Sequence, residues 1–161
     1  MMKRAAALAA LVTGIAAAGG AAVAATKTGT LAVTVTVQSA CAVTGATLDF
    51  GNYTAGQATD RDVRADIAYT DCGPGALTLE LDGGGAADVA ARKLRSGTNT
   101  LNYNLYRDSG RASLFGTGAN ARTATLTGIS SGTFAVFGRI PRSQAVPVGT
   151  YTDTVNITMT F

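Results

Sequence analysis

Residues 30–37 read Thr30-Leu31-Ala32-Val33-Thr34-Val35-Thr36-Val37, a strict alternation of side-chain character. Leu31, Val33, Val35 and Val37 share one side of an extended backbone and Thr30, Thr34 and Thr36 the other, which predicts a strand buried on one face. The final residues, Val155-Asn156-Ile157-Thr158-Met159-Thr160-Phe161, repeat the pattern. A strand free to leave at one end, and a last strand that reaches the C-terminus, suggest a subunit completed by its neighbour.

Between these two stretches the same period recurs in short runs. Ala42-Val43-Thr44 follows Cys41, and Leu48 to Tyr53 predicts a short strand running into a turn. Val63, Ala65, Ile67 and Tyr69 lie on one face of a run that ends at Cys72-Gly73-Pro74-Gly75, a turn signal. Leu77, Leu79 and Leu81 alternate with Thr78, Glu80 and Asp82 until Gly83-Gly84-Gly85 stops the strand. Ala86 to Leu94 predicts at most a helical turn, and Ser96 to Asn99 a loop. Leu101, Tyr103 and Leu105 predict one strand, closed by Asp108-Ser109-Gly110. After a Gly/Ala/Asn-rich segment from Leu114 to Arg122 come Thr123 to Thr127 and then Phe134 to Ile140, apolar on both faces and ended by Pro141. About eight short strands punctuated by turns, with no amphipathic helix of three turns, predict an all-β sandwich of two antiparallel sheets.

The N-terminus changes the accounting. Met1-Met2-Lys3-Arg4 precedes an uncharged, alanine-rich run from Ala5 to Gly20, and Ala22-Val23-Ala24 offers the small residues a signal peptidase reads. Residues 1–25 are expected to be a signal peptide cleaved after Ala24 or Ala25, since the run is short and Gly/Ala-rich for a membrane span. Roughly 136 residues remain, enough for one domain with one core. Without Lys3 and Arg4, the 13 basic residues become eleven against 10 acidic ones, so the sequence pI of 9.1 argues for neither nucleic acid nor anionic lipid. Arg92-Lys93-x-Arg95 reads as a solvated loop.

Little of the sequence points to chemistry. There is no histidine, which removes Ser-His and Cys-His nucleophile pairs and His metal ligands. Asp60, Asp62, Asp66, Asp71 and Glu80 read as solvated surface charge rather than a hydrolytic pair. Asp60-x-Asp62-x3-Asp66 lacks the glycine turn and terminal glutamate of a calcium loop. No catalytic, cofactor or metal residue is expected. Asn52-Tyr53-Thr54 and Asn156-Ile157-Thr158 match the glycosylation sequon at ordinary frequency. In an exported chain, Cys41 and Cys72 read as one disulfide.

Several stretches together carry a family likeness. These are Thr28-Gly29-Thr30-Leu31 into Ser39-Ala40-Cys41, Leu48-Asp49-Phe50-Gly51, Cys72, Leu101 to Asp108, Phe137-Gly138-Arg139-Ile140-Pro141, and Gly149 to Phe161. In this order they resemble the spore coat protein U domain family, which includes the major subunits of archaic chaperone-usher pili. The resemblance implies an incomplete immunoglobulin-like sandwich lacking its final strand, with residues 26–40 as the N-terminal donor extension and the start of the first strand, and 41–161 as the body. It implies donor residues Leu31, Val33, Val35 and, at the junction with the body, Val37. It also implies an acceptor groove bordered by Val155, Ile157, Met159 and Phe161, and a Cys41–Cys72 disulfide. The implied partners are identical or related pilin subunits joined head to tail, a periplasmic chaperone and an outer-membrane usher, with export through the periplasm to a pilus or coat. Two other readings stay open at this point: a spore or cell-surface coat protein, and a carbohydrate-binding adhesive module. Without the resemblance, the plainer reading of residues 30–37 is a strand that folds back into its own sheet.

Overall fold

The computed structural model describes residues 24–161, so the expected signal peptide lies outside the described residues except for its last two. The chain forms two compact units, one ending at Thr36 and one covering Val37–Phe161. In the first unit, the described residues carry no strand. The alternating stretch is therefore solvent-exposed rather than paired: Leu31 is 88%, Val33 83% and Val35 85% exposed. The same is true of Val37, at 88%, where the second unit opens.

The second unit is all-β and antiparallel, and its sheets do not close. One sheet has four strands: β1 (Ala42–Thr44), β2 (Arg61–Cys72), β8 (Ser130–Ile140) and β6 (Asn104–Tyr106), in that order. A second orders β7 (Arg122–Leu126), β3 (Gly75–Leu81) and β9 (Ile157–Thr160), and a small hairpin joins β4 (Lys93–Ser96) to β5 (Asn99–Asn102). The inward phase of each long strand makes the core: Leu77, Leu79 and Leu81 from β3, and Phe134, Val136 and Ile140 from β8. Alternation decides this, because a one-residue slip would send every one of these side chains to water.

Four local expectations need correcting. Leu48 to Tyr53 is not a strand: the segment has no ladder partner, though Phe50 is buried and Leu48 packs on the core. The run Leu101 to Tyr106 is not one strand either. It breaks at Tyr103, so that β5 pairs with β4 and β6 with β8. Two successive sheets are fed by one alternating sequence, and periodicity cannot see the change of partner. The helical turn expected within residues 86–94 lies earlier, as a 3-10 turn over Gly84–Ala86, and Lys93 already belongs to β4.

The fourth correction is the basic loop. Arg92 is fully buried, and its guanidinium donates six hydrogen bonds, at 2.7–3.2 Å. The acceptors are the carbonyls of Leu81, Asp82, Val89 and Phe115 and the side-chain oxygen of Asn104. One planar fork thus ties the end of β3 to the start of β6 and to two irregular segments, at Val89 and Phe115. Such a cation is tolerated in the interior because every donor finds an oxygen.

The acidic cluster is likewise occupied. Asp62 takes a bidentate pair from Arg139, 2.8 Å at each contact, and a third contact from Arg111 at 3.1 Å. The Arg139 bonds outweigh burial and, with the Arg111 charge, hold the Asp62 carboxyl below its usual range. Asp60 lies 3.3 Å from Arg139, and Asp66 pairs with Arg64 at 2.8 Å. All three carboxylates of the Asp60-x-Asp62-x3-Asp66 run pair with arginines.

Cys41 and Cys72 are bonded across 31 residues, anchoring the start of the body to the end of β2. In the chain-entropy account a loop of this size contributes ~3–4 kcal/mol. The double variant Cys41→Ser/Cys72→Ser is expected to lower stability by about that amount, read as an earlier urea midpoint at unchanged slope.

Candidate functional site: an open flank of the sandwich

The two flanks of the sandwich are finished differently. On the side of β6 and β7, residues 107–121 cross the gap and arginines bind main-chain carbonyls. Arg107 Nη1 donates to the Ala121 carbonyl (2.9 Å), and Arg122 Nη1 donates to those of Arg107 (3.0 Å) and Ala135 (3.2 Å). Nothing comparable covers the other flank among the described residues.

There, β9 pairs with β3 on one side only, so its outer edge presents backbone groups without a strand partner among the described strands. Across from it runs the unpaired segment 46–50. Between them lies a cavity of about 150 Å³, lined by Leu48, Phe50, Ile67, Leu81, Val155 and Ile157 among others. Toward residues 146–153 a wider cleft of about 720 Å³ shares Leu48, Phe50, Leu94 and Asp153 with it. The apolar interior is open here along one edge.

The sequence-expected acceptor residues sit at this edge. Val155, Ile157 and Met159 are half-buried and pack on the core, while Thr154, Asn156, Thr158 and Thr160 point outward. Phe161, at 60% exposure, is the least covered of the four. The expected donor residues are all exposed, Leu31, Val33 and Val35 in the first unit and Val37 at the opening of the second.

Three polar residues that escaped the sequence reading fix the geometry. Asp82 accepts from both the backbone N–H (2.9 Å) and the side-chain amide (2.6 Å) of Asn156, and from the Gly84 N–H (2.9 Å). Burial pushes the Asp82 carboxyl up, but these bonds and the Arg92 charge outweigh it and hold it below its usual range. Asp153 accepts from the Tyr103 hydroxyl (2.7 Å), the Gly85 N–H (2.9 Å) and its own neighbour's N–H at Thr154 (2.9 Å). Burial, reinforced by the Asp153 bond, pushes the Tyr103 phenol well above its ordinary value. Gly84 has φ +60° and faces the Asp153 carboxylate so closely that no Cβ fits. The signal for this cluster was present in the triple glycine next to Asp82, which the period-two reading took only as a strand stop.

This arrangement holds an apolar trough open beside a free strand edge; it offers backbone donors and acceptors and side-chain pockets rather than reactive groups. Among the described residues no helix is long and apolar enough to cross a membrane.

Comparison with known proteins agrees with this architecture. Protein U of Myxococcus xanthus is 31% identical over 163 residues, covering 86% of this chain and 87% of that protein. Among solved structures, a chain of the CsuC–CsuE chaperone–tip adhesion subunit pre-assembly complex superposes with a TM-score of 0.59. That complex comes from the archaic chaperone-usher Csu pili of Acinetobacter baumannii. The match covers 78% of this chain at 20% identity, and this chain spans 40% of that one, so the likeness is one of fold. The sequence pattern of Spore Coat Protein U domains matches residues 27–158. The chain is a structural protein rather than an enzyme, and it belongs to the Spore Coat Protein U domain family.

Proposed function

We propose that this protein is a structural pilin subunit of a chaperone-usher pilus, exported through the periplasm to the cell surface for adhesion and biofilm formation. Subunits join head to tail: Leu31, Val33, Val35 and Val37 of one copy insert beside β9 of the next, against Val155, Ile157, Met159 and Phe161. The observation that carries this reading is the unpartnered outer edge of β9 above an open apolar cavity, in a chain whose own alternating stretch stands fully exposed.

The physics suits the role. An exposed edge and trough are an aggregation hazard until covered, which is the service a periplasmic chaperone supplies before an usher exchanges it for the next subunit. Covering them with four apolar side chains contributes ~6–12 kcal/mol gross, at ~1.5–3 kcal/mol each. Ordering the extension offsets part of this, and the new ladder hydrogen bonds add to it. Head-to-tail insertion is a heterologous contact, and such contacts build open fibres.

Co-secretion with a chaperone and usher, followed by an unboiled denaturing gel, tests the proposal. A ladder that collapses to monomer on boiling is expected. Monomer alone before boiling would refute strand exchange. The family's coat proteins supply a second reading, favoured by the 31% identity to Protein U. Electron microscopy separates the two, since a coat forms a continuous layer and a pilus forms discrete fibres.

A further inference from the structure

We infer that Asp153 sets the register of the inserted strand by accepting a hydrogen bond from Ser39 of the second copy. The inference rests on the pilin reading and adds to it the alignment of donor and groove. The inward phase of the C-terminal segment, read backward from the end, is Phe161, Met159, Ile157, Val155 and then Asp153. The phase that carries the donor side chains, read forward, is Leu31, Val33, Val35, Val37 and then Ser39. Four apolar positions followed by one polar position occur on both sides. An antiparallel strand that sets Leu31 against Phe161 and Val37 against Val155 places the Ser39 hydroxyl opposite the Asp153 carboxylate.

The geometry of the groove makes Asp153 a stop. It lines both the narrow apolar cavity and the wider cleft, at their junction. Its carboxylate is held in place by the Tyr103 hydroxyl and two backbone N–H groups, so it does not swing away to admit an apolar side chain. A slip of two residues would set Val37 on this carboxylate and strip it of water. In the aligned register, a serine hydroxyl supplies a donor to a charged acceptor.

Direction follows from the poles of the body. Cys41 is bonded to Cys72, and Cys72 pairs with Ser130, so the chain leaves the body at the pole where β2 ends and β8 begins. β3 starts at this pole too, and the end of β9 pairs near its start, Thr160 opposite Thr78. A parallel insertion would bring the second copy's body to the pole from which the first copy's own donor departs. Antiparallel insertion brings it to the opposite pole and leaves the donor free, in keeping with every described strand pair.

Cross-linking of full-length, co-secreted polymer tests the register. Directly opposed residues have Cβ atoms ~4.5–5.5 Å apart, close enough to form a disulfide after small adjustment. Three pairs are compared: Val37→Cys with Val155→Cys, Val35→Cys with Val155→Cys, and Leu31→Cys with Val155→Cys. The first is expected to give a boil-resistant, non-reduced ladder about tenfold stronger than the others. In that background, Ser39→Asp should lower the cross-linked fraction about tenfold by setting like charges together, while Ser39→Thr should retain it. Predominant cross-linking of the second pair would overturn the register, and of the third pair the direction. An unchanged Ser39→Asp polymer would overturn the role of Asp153. Absence of a boil-sensitive ladder from the unsubstituted chain would instead overturn the pilin reading, and the register with it.

Discussion

Val33→Asp is expected to abolish the polymer while leaving subunit of normal fold and secretion into the periplasm. Val33 is 83% exposed and lies in the unit that ends at Thr36, so the substitution removes no contact from the core. In the proposed junction the same position is the second of four apolar anchors. The substitution forfeits ~1.5–3 kcal/mol of burial and adds several kcal/mol for desolvating a carboxylate that meets no cation. A total of at least ~4–5 kcal/mol corresponds to about a thousandfold weaker junction. Unboiled gels of the variant should show chaperone-bound monomer and no ladder, and Val33→Ile should restore the ladder. Fibres of normal length from Val33→Asp would mean that another segment fills the groove. A variant missing from the periplasm altogether would mean that residues 30–37 contribute to the fold of the subunit itself.

Arg92→Met is expected to be the most damaging single change in the body. The methionine matches the arginine stem in bulk but leaves four backbone carbonyl positions and the Asn104 side chain without their donor. Unsatisfied buried acceptors cost ~1–3 kcal/mol each, and partial relaxation brings the sum to ~3–5 kcal/mol. For a chain of this length that corresponds to a fall of ~10–20 °C in the thermal midpoint. Arg92→Lys should recover little, because three donors on a point charge cannot reproduce a six-bond planar fork. A midpoint within a few degrees of the parent would mean that water reaches these carbonyls. Burial pushes the Arg92 guanidinium below its ordinary value, yet an arginine is so basic that it stays charged, and the clamp is not expected to respond to pH in the neutral range.

The sequence made the strands legible wherever one element stayed in one sheet. β3, β8 and the end of the chain follow the alternation, because a half-buried strand imposes period two on its residues. The reading failed where the partner changed or was missing. Leu101 to Tyr106 keeps its alternation through Tyr103 while passing from one sheet to another. Leu48 and Phe50 have the right side chains for a strand and pack inward, but no neighbouring backbone completes their ladder. Arg92 was misread for a different reason. Its partners are carbonyl oxygens from residues 81, 82, 89 and 115, and a carbonyl carries no signature in the side-chain sequence. The proposed donor and acceptor positions stand out as pattern; Asp82, Tyr103 and Asp153, which brace the cavity, were visible only as ordinary members of strands and turns.

The unequal finishing of the two flanks fixes what a subunit can be as a building block. Residues 107–121 and their arginines cross the flank beside β6 and β7, whereas the β9 flank lies open over the apolar cavity. On the proposed assembly each copy is therefore bifunctional, with a single plug and a single socket. Bifunctional monomers grow only in length: they give linear, unbranched chains whose mass increases by one copy per step. A second apolar socket would raise the functionality to three, and the same chemistry would then set into a network instead of a thread.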